Sequence, residues 1–325
     1  MSTITAIRLP EPGDAEAMRL SDIPLPSPGE GEILVRHRAI GVNYIDTYHR
    51  SGLYPLPLPT GIGLEAAGTV ESIGPNSGTW SVGDRIAYCT GPIGAYAEAH
   101  VIKADRGVRL PKTISFDAAA SIMLKGLTTQ YLIRQIYRAG PKDTVLFHAA
   151  AGGVGQIAVQ WLKHLGSTVI ATVGSQEKAD LVTRLGADHI ILYGEEDTAT
   201  RVREIVPEGL PVVYDGVGQD TFVASLNSLK PKGLMVSFGN ASGPVKDVDL
   251  GILAAKGSLF LTRPTLFNYT ATSEDLQNAA DDLFAAIDAG GITPPSPTVY
   301  PLSKAVQAHQ DLEARKTTGS LILRP

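Results

Sequence analysis

The sequence predicts an α/β fold in which a doubly wound parallel sheet is combined with a smaller β-rich domain. Turn residues and alternating strand patterns dominate roughly the first 110 residues, whereas from about residue 125 short apolar strands alternate with amphipathic helices. Within that second region, a glycine-rich turn joins a strand to a helix at Ala149–Gly155. A chain of 325 residues, 43% of them hydrophobic, is long enough for about two such domains.

The β-rich region is predicted from three short segments. Ile33–Arg38 and Gly68–Gly74 are each predicted to form a half-buried strand, and Val82–Tyr88 is a turn that leads into another strand. Prolines 55, 57 and 59 favour an extended loop. With frequent turns and no long helix before residue 115, this region is expected to form a small barrel or folded sheet.

The parallel sheet is predicted from six apolar segments joined by helical crossovers. The strands are Thr144–His148, Thr168–Val173, His189–Tyr193, Pro211–Asp215, Leu234–Phe238 and Gly257–Thr262. The helices between them are Gly153–His164, Gln176–Leu185, Thr198–Val206 and Asp220–Leu229. Two further helices, Ser273–Ala289 and Ser303–Arg315, precede a last strand at Ser320–Leu323. Because the tail ends in a strand, we expect it to return to the first domain.

The composition excludes several classes of protein. With 28 basic against 33 acidic residues and no basic block, the chain is a poor candidate for binding nucleic acid. Its single cysteine, Cys89, cannot form an intramolecular disulfide, which favours a reducing compartment. No apolar run is long enough to span a bilayer, and the N-terminus lacks the pattern of a signal peptide. We therefore expect a cytoplasmic protein without a membrane or nucleic-acid partner.

The turn at Ala149–Gly155 predicts a dinucleotide site. Its first fingerprint glycine is replaced by Ala150, but the turn lies between a strand and an amphipathic helix, as the motif requires. Gly152 allows close approach of a pyrophosphate, Gly155 allows the helix to pack on the sheet, and the helix N-terminus attracts phosphate charge. The alternative is a turn whose small residues serve packing alone.

A second glycine pattern, Gly61–Ala66, formally fits a looser version of the same motif. A proline-rich loop precedes it and a strand follows it, so neither flank is that of a dinucleotide site. We predict an ordinary turn here.

The second strand of the parallel sheet indicates which dinucleotide is bound. An NAD site usually places a carboxylate at the end of this strand, where the present chain has Gly174 and Ser175. The hydroxyl of Ser175 and the ammonium of Lys178 instead suit a 2′-phosphate, which predicts NADPH. Two alternatives remain open: Glu177 is a displaced acid, or Lys178 is a solvated helix residue.

Four segments resemble the medium-chain dehydrogenase/reductase superfamily, specifically its zinc-free quinone oxidoreductases and above all the bacterial NADPH-dependent ones. They are Gly41–Tyr54, Leu124–Thr128, Phe147–Gly155 and Ser237–Asn240. The resemblance implies a chaperonin-10-like catalytic domain of residues 1–124 and 267–325 around an NADP(H)-binding Rossmann domain of residues 125–266. It also implies a homodimer formed largely through the nucleotide domains.

The same resemblance allows the zinc sites to be checked. The Cys, His and Cys ligands of zinc-dependent relatives align with Asn43, Leu64 and Leu124, none of which is a normal zinc ligand. The cysteine-rich loop of the structural zinc site is missing, and the seven histidines are dispersed. We therefore expect no metal, and His148 beside the glycine turn is interpreted as a packed or hydrogen-bonded residue rather than a base.

Without zinc, the chemistry narrows to electrophiles that need no Lewis acid. Hydride addition to a quinone yields a hydroquinone anion that delocalises its charge, so positioning and one or two hydrogen bonds suffice. The resemblance points to Tyr48 and Tyr54 as catalytic residues whose phenols hydrogen-bond a quinone oxygen or close the pocket. The alternative for each is a half-buried core tyrosine.

The resemblance also carries over the residues that contact the cofactor. They are Asn43, Asp46, Lys125 and Thr128, then Gly152, Gly153 and Val154 at the pyrophosphate, Gly174, Ser175, Lys178 and Tyr193 at the adenosine phosphate, Val217, Phe238, Gly239 and Asn240 at the nicotinamide ribose, and Arg315. For Arg315, matching of the helix dipole at the end of the last helix is the alternative.

The function predicted is therefore transfer of hydride from NADPH to a quinone, giving hydroquinone or semiquinone. An NADPH-dependent alkenal or enone double-bond reductase is the alternative, since it needs the same hydride geometry. A non-enzymatic NADPH- or RNA-binding protein is a third hypothesis, which the net charge of −5 disfavours for RNA.

Overall fold

The structure, a computed structural model, describes residues 2–314 and 316–325 and divides into two compact units. The first comprises the described residues of Met1–Lys125, Thr270–Ala280 and Pro294–Pro325, and the second comprises Gly126–Tyr269 and Asp281–Thr293. The domain bounds predicted from the sequence differ from this division in assigning residues 267–269 and 281–293 to the first domain and Lys125 to the second.

Strands and helices are numbered here in chain order over the described residues. The strands β1 to β16 are Thr3–Leu9, Arg19–Pro24, Glu32–Val42, Thr60–Gly61, Glu65–Ile73, Arg85–Tyr88, Ala99–Lys103, Val108–Arg109, Thr144–Phe147, Thr168–Val173, His189–Leu192, Leu210–Asp215, Leu229–Ser237, Phe260–Thr262, Thr298–Pro301 and Leu321–Arg324. The helices α1 to α10 are Tyr44–Ser51, Phe116–Gln130, Gly153–His164, Gln176–Arg184, Thr198–Ile205, Phe222–Ser228, Gly251–Ala255, Leu266–Tyr269, Ser273–Asp288 and Ala305–Glu313. Helix α2 continues as a π-helix over Tyr131–Ile136.

The first unit is built around β3, which pairs with β5, β7 and β16 in a seven-stranded sheet. A second, three-stranded sheet has the order β2-β1-β4. The C-terminal strand β16 runs antiparallel to β3, with Leu321 opposite Val42 and Leu323 opposite Ile40. The prediction that the chain's last strand returns to the N-terminal β-rich region is thus confirmed.

The second unit contains the predicted doubly wound sheet. Its six strands are all parallel in the order β11-β10-β9-β12-β13-β14. Apolar side chains such as Leu146, Ile170 and Val213 fill the core, as expected for strands that are covered on both faces. The strand order reverses between β9 and β12, so their carboxyl ends form the switch point at which such sheets bind ligands.

Within the glycine pattern at Gly61–Ala66, only residues 62–64 connect β4 to β5, because Gly61 ends β4 and Glu65 and Ala66 begin β5. Gly63 has φ +92°, and the ring of Tyr96 occupies the space that a Cβ atom would need. Separately, none of the helices in the described part of the chain combines the length and hydropathy needed to cross a bilayer.

Candidate active site

The glycine turn leaves the carboxyl end of β9 and opens α3. Ala149 adopts a left-handed conformation with φ +52°, and Gly152 is the exposed, extended residue that precedes the helix. A Cβ atom on Gly155 would lie 2.5 Å from the carbonyl oxygen of Ala150, so only glycine fits there. The backbone is therefore open at a helix N-terminus, an arrangement that suits a pyrophosphate.

The neighbouring strand β10 ends in an exposed polar corner. Ser175 caps α4, its Oγ accepting a hydrogen bond from the backbone N–H of Lys178 at 3.4 Å. The phenol of Tyr193 lies over Gly174, in the space that a Cβ atom would fill. Gly174 and Ser175 are exposed, and Lys178 is half-buried. The Ser175 hydroxyl and a helix N-terminus thus lie at the strand end, and Lys178 is in the first turn of that helix with Glu177 exposed beside it. A hydroxyl, a helix N-terminus and a lysine form a donor set that suits a phosphate.

The loops that follow β12 and β13 bring the predicted nicotinamide residues to the same edge of the sheet. Asp215 accepts hydrogen bonds from the backbone N–H groups of Val217 and Gly218 at 2.9 and 3.0 Å. With its amide oriented to satisfy both neighbours, Asn240 donates to the Gly239 carbonyl at 2.9 Å and accepts from Arg263 at 3.1 Å. Val217, Phe238, Gly239 and Asn240 are all half-buried.

A buried polar cluster occupies the first unit, where α1 follows β3. The amide of Asn43 donates to a Glu65 carboxylate oxygen at 2.8 Å and accepts from the Lys125 ammonium at 2.7 Å. The other Glu65 oxygen accepts from the backbone N–H of Leu124 at 2.7 Å. Burial raises the pKa of Glu65, while the nearby Lys125 charge opposes that shift. The cluster fixes the orientation of the Asn43 side chain.

Asp46 lies fully buried in the first turn of α1. One oxygen, Oδ2, accepts from the backbone N–H of Asn43 at 2.8 Å and from the Tyr96 hydroxyl at 3.0 Å. The other, Oδ1, is buried without a hydrogen-bond partner among the described residues. Burial raises the pKa of Asp46 to about 7, so the carboxyl group exchanges its proton near neutral pH.

The hydrogen bonds continue from Asp46 to the last helix. The Tyr96 hydroxyl lies 3.0 Å from Nε2 of His309, whose Nδ1 lies 3.2 Å from the Arg50 guanidinium. Arg50 in turn donates two hydrogen bonds to Glu313, at 2.7 and 2.8 Å. Burial lowers the pKa of His309 to about 3, so its imidazole is neutral. These contacts tie the beginning of α1 to α10.

Sequence reasoning missed Glu65, Tyr96 and His309. A signal was present for Glu65, since it is a carboxylate inside the apolar run Ile62–Ala67 and such a charge is rarely buried without a partner. Tyr96 and His309 carried no comparable signal, because their contact joins positions 213 residues apart.

The two predicted catalytic tyrosines lie together. Tyr48 is on α1, and Gly52, with φ +80°, ends that helix and turns the chain back. The ring centroids of Tyr48 and Tyr54 are 5.3 Å apart in an edge-to-face arrangement, and the backbone N–H of Tyr54 donates to the Tyr48 carbonyl at 3.0 Å. Both side chains are half-buried.

The three positions aligned with zinc ligands hold a bridging amide and two leucines. The Asn43 amide is hydrogen-bonded to Glu65 and Lys125, while Leu64 is buried in the core. Over residues 2–314 and 316–325, no three His, Cys, Asp or Glu side chains are grouped as metal ligands would be. Thr128 lies buried on α2, as does Lys125, whereas Arg315 lies outside the described residues.

Comparison with known proteins agrees with this architecture. A family model for the alcohol dehydrogenase GroES-like domain matches residues 29–112, and one for the zinc-binding dehydrogenase matches residues 153–285. A quinone oxidoreductase of Pseudomonas aeruginosa is 53% identical over 315 residues, which is 96% of this chain and 97% of that protein. A 2-haloacrylate reductase of a Burkholderia species is 42% identical over 94% of each chain.

Among solved structures, the Escherichia coli quinone oxidoreductase complexed with NADPH has a TM-score of 0.97 and 47% identity, covering 99% of this chain and 100% of that one. The doubly wound sheet, its glycine turn and the GroES-like domain define a medium-chain dehydrogenase/reductase. Within that superfamily the chain belongs to the quinone oxidoreductases. The family predicted from the sequence is confirmed.

Proposed function

We propose that this protein is an NADPH-dependent quinone oxidoreductase. The proposal rests mainly on the end of β10. There, beside the open glycine turn, the chain has Ser175 and Lys178 in place of the carboxylate of an NAD site. Relatives named quinone oxidoreductase at 53% and 47% identity, one of them complexed with NADPH, support the same activity. When bound, NADPH supplies the hydride that reduces the quinone.

The residues of the second unit bind and orient the cofactor in this proposal. Gly152, Gly153 and Val154 hold the pyrophosphate at the N-terminus of α3. The polar corner at the end of β10 holds the 2′-phosphate, through Gly174, Ser175, Lys178 and Tyr193. Val217, Phe238, Gly239 and Asn240 line the nicotinamide ribose.

In the first unit, the proposed cofactor contacts are Asn43, Asp46 and Lys125, with Thr128 following on α2. Support for Asn43 is its fixed orientation, since Glu65 and Lys125 bind its amide from two sides. Arg315 remains a proposed contact on the basis of family resemblance alone.

Tyr48 and Tyr54 are the proposed catalytic residues. A phenol hydroxyl donates a hydrogen bond to a quinone oxygen as negative charge develops there. A solvent proton then completes the hydroquinone. We propose that no zinc takes part, because an amide and two leucine side chains at the aligned positions do not form a zinc donor set.

A second candidate function is reduction of an activated carbon–carbon double bond. It is favoured by the 42% identical relative named 2-haloacrylate reductase. The cofactor site and hydride donor are the same in both reactions, and only the electrophile differs.

We further propose that the protein acts as a cytoplasmic homodimer joined through its nucleotide-binding domains, without a nucleic-acid partner. The net charge of −5 opposes binding to a polyanion. Cys89 is buried, and burial raises the pKa of its thiol, which suits an inert cysteine in a reducing compartment.

Steady-state oxidation of NADPH and NADH tests the proposal, with 1,4-benzoquinone, a bulky quinone, an alkenal and 2-chloroacrylate as acceptors. We expect a quinone to accelerate NADPH oxidation most, with NADH a poor donor and with activity unchanged after chelator treatment. If no quinone accelerates the reaction while an alkenal or 2-chloroacrylate does, the second candidate replaces the first. Stoichiometric zinc in the active protein would overturn the metal-free assignment.

A further inference from the structure

A chain of buried hydrogen bonds crosses the carboxyl ends of β10, β9 and β12. It runs from Thr172 through His148 and Ser225 to Asp215, with contacts of 3.0, 3.1 and 2.6 Å between successive side chains. Each of the four residues is at most 1% exposed. These groups carry no part of the hydride chemistry described above.

The direction of every bond in this chain is determined by its acidic end. The Asp215 carboxylate only accepts, so the Ser225 hydroxyl donates to it and accepts from Nε2–H of His148. Burial lowers the pKa of His148, so the imidazole is neutral and its Nδ1 accepts from the Thr172 hydroxyl. The chain therefore selects the Nε2–H tautomer.

Both ends of the chain reach backbone that the cofactor needs. At one end, the Thr172 hydroxyl oxygen lies 3.4 Å from the N–H of Ala149, the left-handed residue that begins the glycine turn. At the other end, the Asp215 carboxylate accepts the N–H groups of Val217 and Gly218 and the hydroxyl of Thr221. The chain thus holds the pyrophosphate turn and the nicotinamide loop, the two segments on either side of the switch point.

The same three residue types form hydrolytic triads, but the geometry here excludes that role. The Ser225 Oγ is buried, its proton is directed to Asp215, and the imidazole acts as a donor to it rather than as a base. A nucleophilic serine requires the opposite arrangement, in which the base accepts the hydroxyl proton.

We propose that four buried side chains act as positioning residues: Thr172, His148, Ser225 and Asp215. They hold the pyrophosphate turn and the nicotinamide loop in a fixed relative position for the binding of NADPH. The role rests on the proposed function, since it requires that NADPH bind along this edge. Ser175 and Lys178, the residues proposed to bind the 2′-phosphate, are not part of this chain of hydrogen bonds. Loss of a link therefore weakens binding of the whole dinucleotide while leaving recognition of the 2′-phosphate end intact.

The test compares Thr172→Val, which removes the hydroxyl at constant shape, with Thr172→Ser, which keeps it. Binding of NADPH and of 2′,5′-ADP is measured by calorimetry on each variant and on the wild type. Thr172→Val is expected to weaken NADPH binding about tenfold, the factor implied by one or two lost hydrogen bonds. Binding of 2′,5′-ADP is expected to stay within about twofold, and Thr172→Ser to restore NADPH binding.

Ser225→Ala provides a second break in the same chain and replaces Thr172→Val if that variant does not fold. Because both substitutions break the same chain of hydrogen bonds, the double variant is expected to lose no more NADPH affinity than whichever single variant binds NADPH less tightly. Nitrogen-15 NMR supplies a readout independent of binding, with the His148 signal identified by its absence in His148→Gln. In the wild type, His148 is expected to have a protonated Nε2 and an unprotonated Nδ1.

Three results would overturn the positioning role: an Nδ1–H tautomer at His148, unchanged NADPH affinity in the variants, or equal losses for NADPH and 2′,5′-ADP. Wild-type protein that binds neither ligand would overturn the proposed function together with this role. Wild-type protein that binds both, with variants that do the same, overturns the positioning role alone.

Discussion

The ammonium nitrogen of Lys125 lies 3.6 Å from a carboxylate oxygen of Glu65, and both side chains are almost fully buried, at 8% and 0% exposure. Removing two opposite charges from water carries a large desolvation cost, which their attraction offsets only when further hydrogen bonds complete the site. Asn43 and the backbone of Leu124 supply those bonds. The stability of this cluster therefore depends on all its members being present.

Lys125→Met leaves the Glu65 carboxylate buried without its counter-charge. We expect the free energy of unfolding to fall by about 3 kcal/mol, and Glu65→Gln to have an effect of similar sign. The double variant is expected to regain part of the loss, because neither charge then remains unpaired. Urea unfolding of the four proteins measures this, and strictly additive losses would show that the two residues do not interact.

Lys178→Ala is expected to lower kcat/KM for NADPH about tenfold and to leave that for NADH nearly unchanged, since one charge-assisted contact to the 2′-phosphate is lost. Arg184→Ala is the matched control, because it removes an exposed cation from the other end of the same helix, α4. If the cofactor preference of Lys178→Ala equals that of the wild type, Lys178 is a solvated helix residue.

Gly155→Ala places a Cβ atom 2.5 and 2.6 Å from the carbonyl oxygens of Ala150 and Ala149. These are backbone atoms, so the glycine turn itself must shift. We expect a loss of at least about 2 kcal/mol in unfolding free energy, together with weakened NADPH binding. Gly140→Ala is the control, since a Cβ atom there meets nothing within 4 Å. Equal behaviour of the two variants would contradict the close packing at Gly155.

Asp46→Asn tests the raised pKa of the buried carboxyl group. The folded protein holds a proton up to about pH 7, which the unfolded chain releases near its ordinary value of 3.8. Asp46 therefore makes its full contribution to the free energy of unfolding below about pH 4. That contribution falls by about 1.4 kcal/mol per pH unit as the pH rises from about 4 to about 7, and it is lost above pH 7.

The asparagine variant has no proton to release at this position, so it lacks this decline. The Asn43, Tyr96, Glu65 and Lys125 groups that face Asp46 are common to both proteins. We expect the stability difference between Asp46→Asn and wild type to move in favour of the variant from about pH 4.5 to about pH 7.5. A difference that does not change with pH would show that Asp46 titrates as an exposed carboxylate does.

Tyr48→Phe and Tyr54→Phe remove the proposed hydrogen bonds to the quinone. We expect kcat to fall about tenfold or more for at least one variant, with KM for NADPH unchanged, since the loss falls on charge that develops in the transition state. Tyr44→Phe is the control on the same helix, because its hydroxyl is already used on the Leu312 carbonyl. Full activity in both test variants would assign Tyr48 and Tyr54 to packing.

Much of the second unit was predictable residue by residue. Helix Gly153–His164 and strand Thr168–Val173 were predicted with the bounds that the structure shows. The helix is marked by an apolar stripe with a period of 3.6 residues, the strand by a short apolar run, and the glycine turn by its fixed spacing, all within contiguous sequence. The last helix was less exact, since the structure has Ala305–Glu313 where Ser303–Arg315 was expected, because helix ends depend on weak terminal contacts.

The sequence by itself determined the fold class, the family, the dinucleotide turn and the proximity of Tyr48 and Tyr54, because each depends on residues close together along the chain. Only the tertiary structure decided that Asn43 is held between Glu65 and Lys125, that Asp46 is buried beneath Tyr96, and that His148 joins Thr172 to Ser225. Those contacts join positions between 22 and 82 residues apart. Hydrophobic periodicity shows which face of an element is buried, but not which polar groups meet there, because that depends on strand order and register.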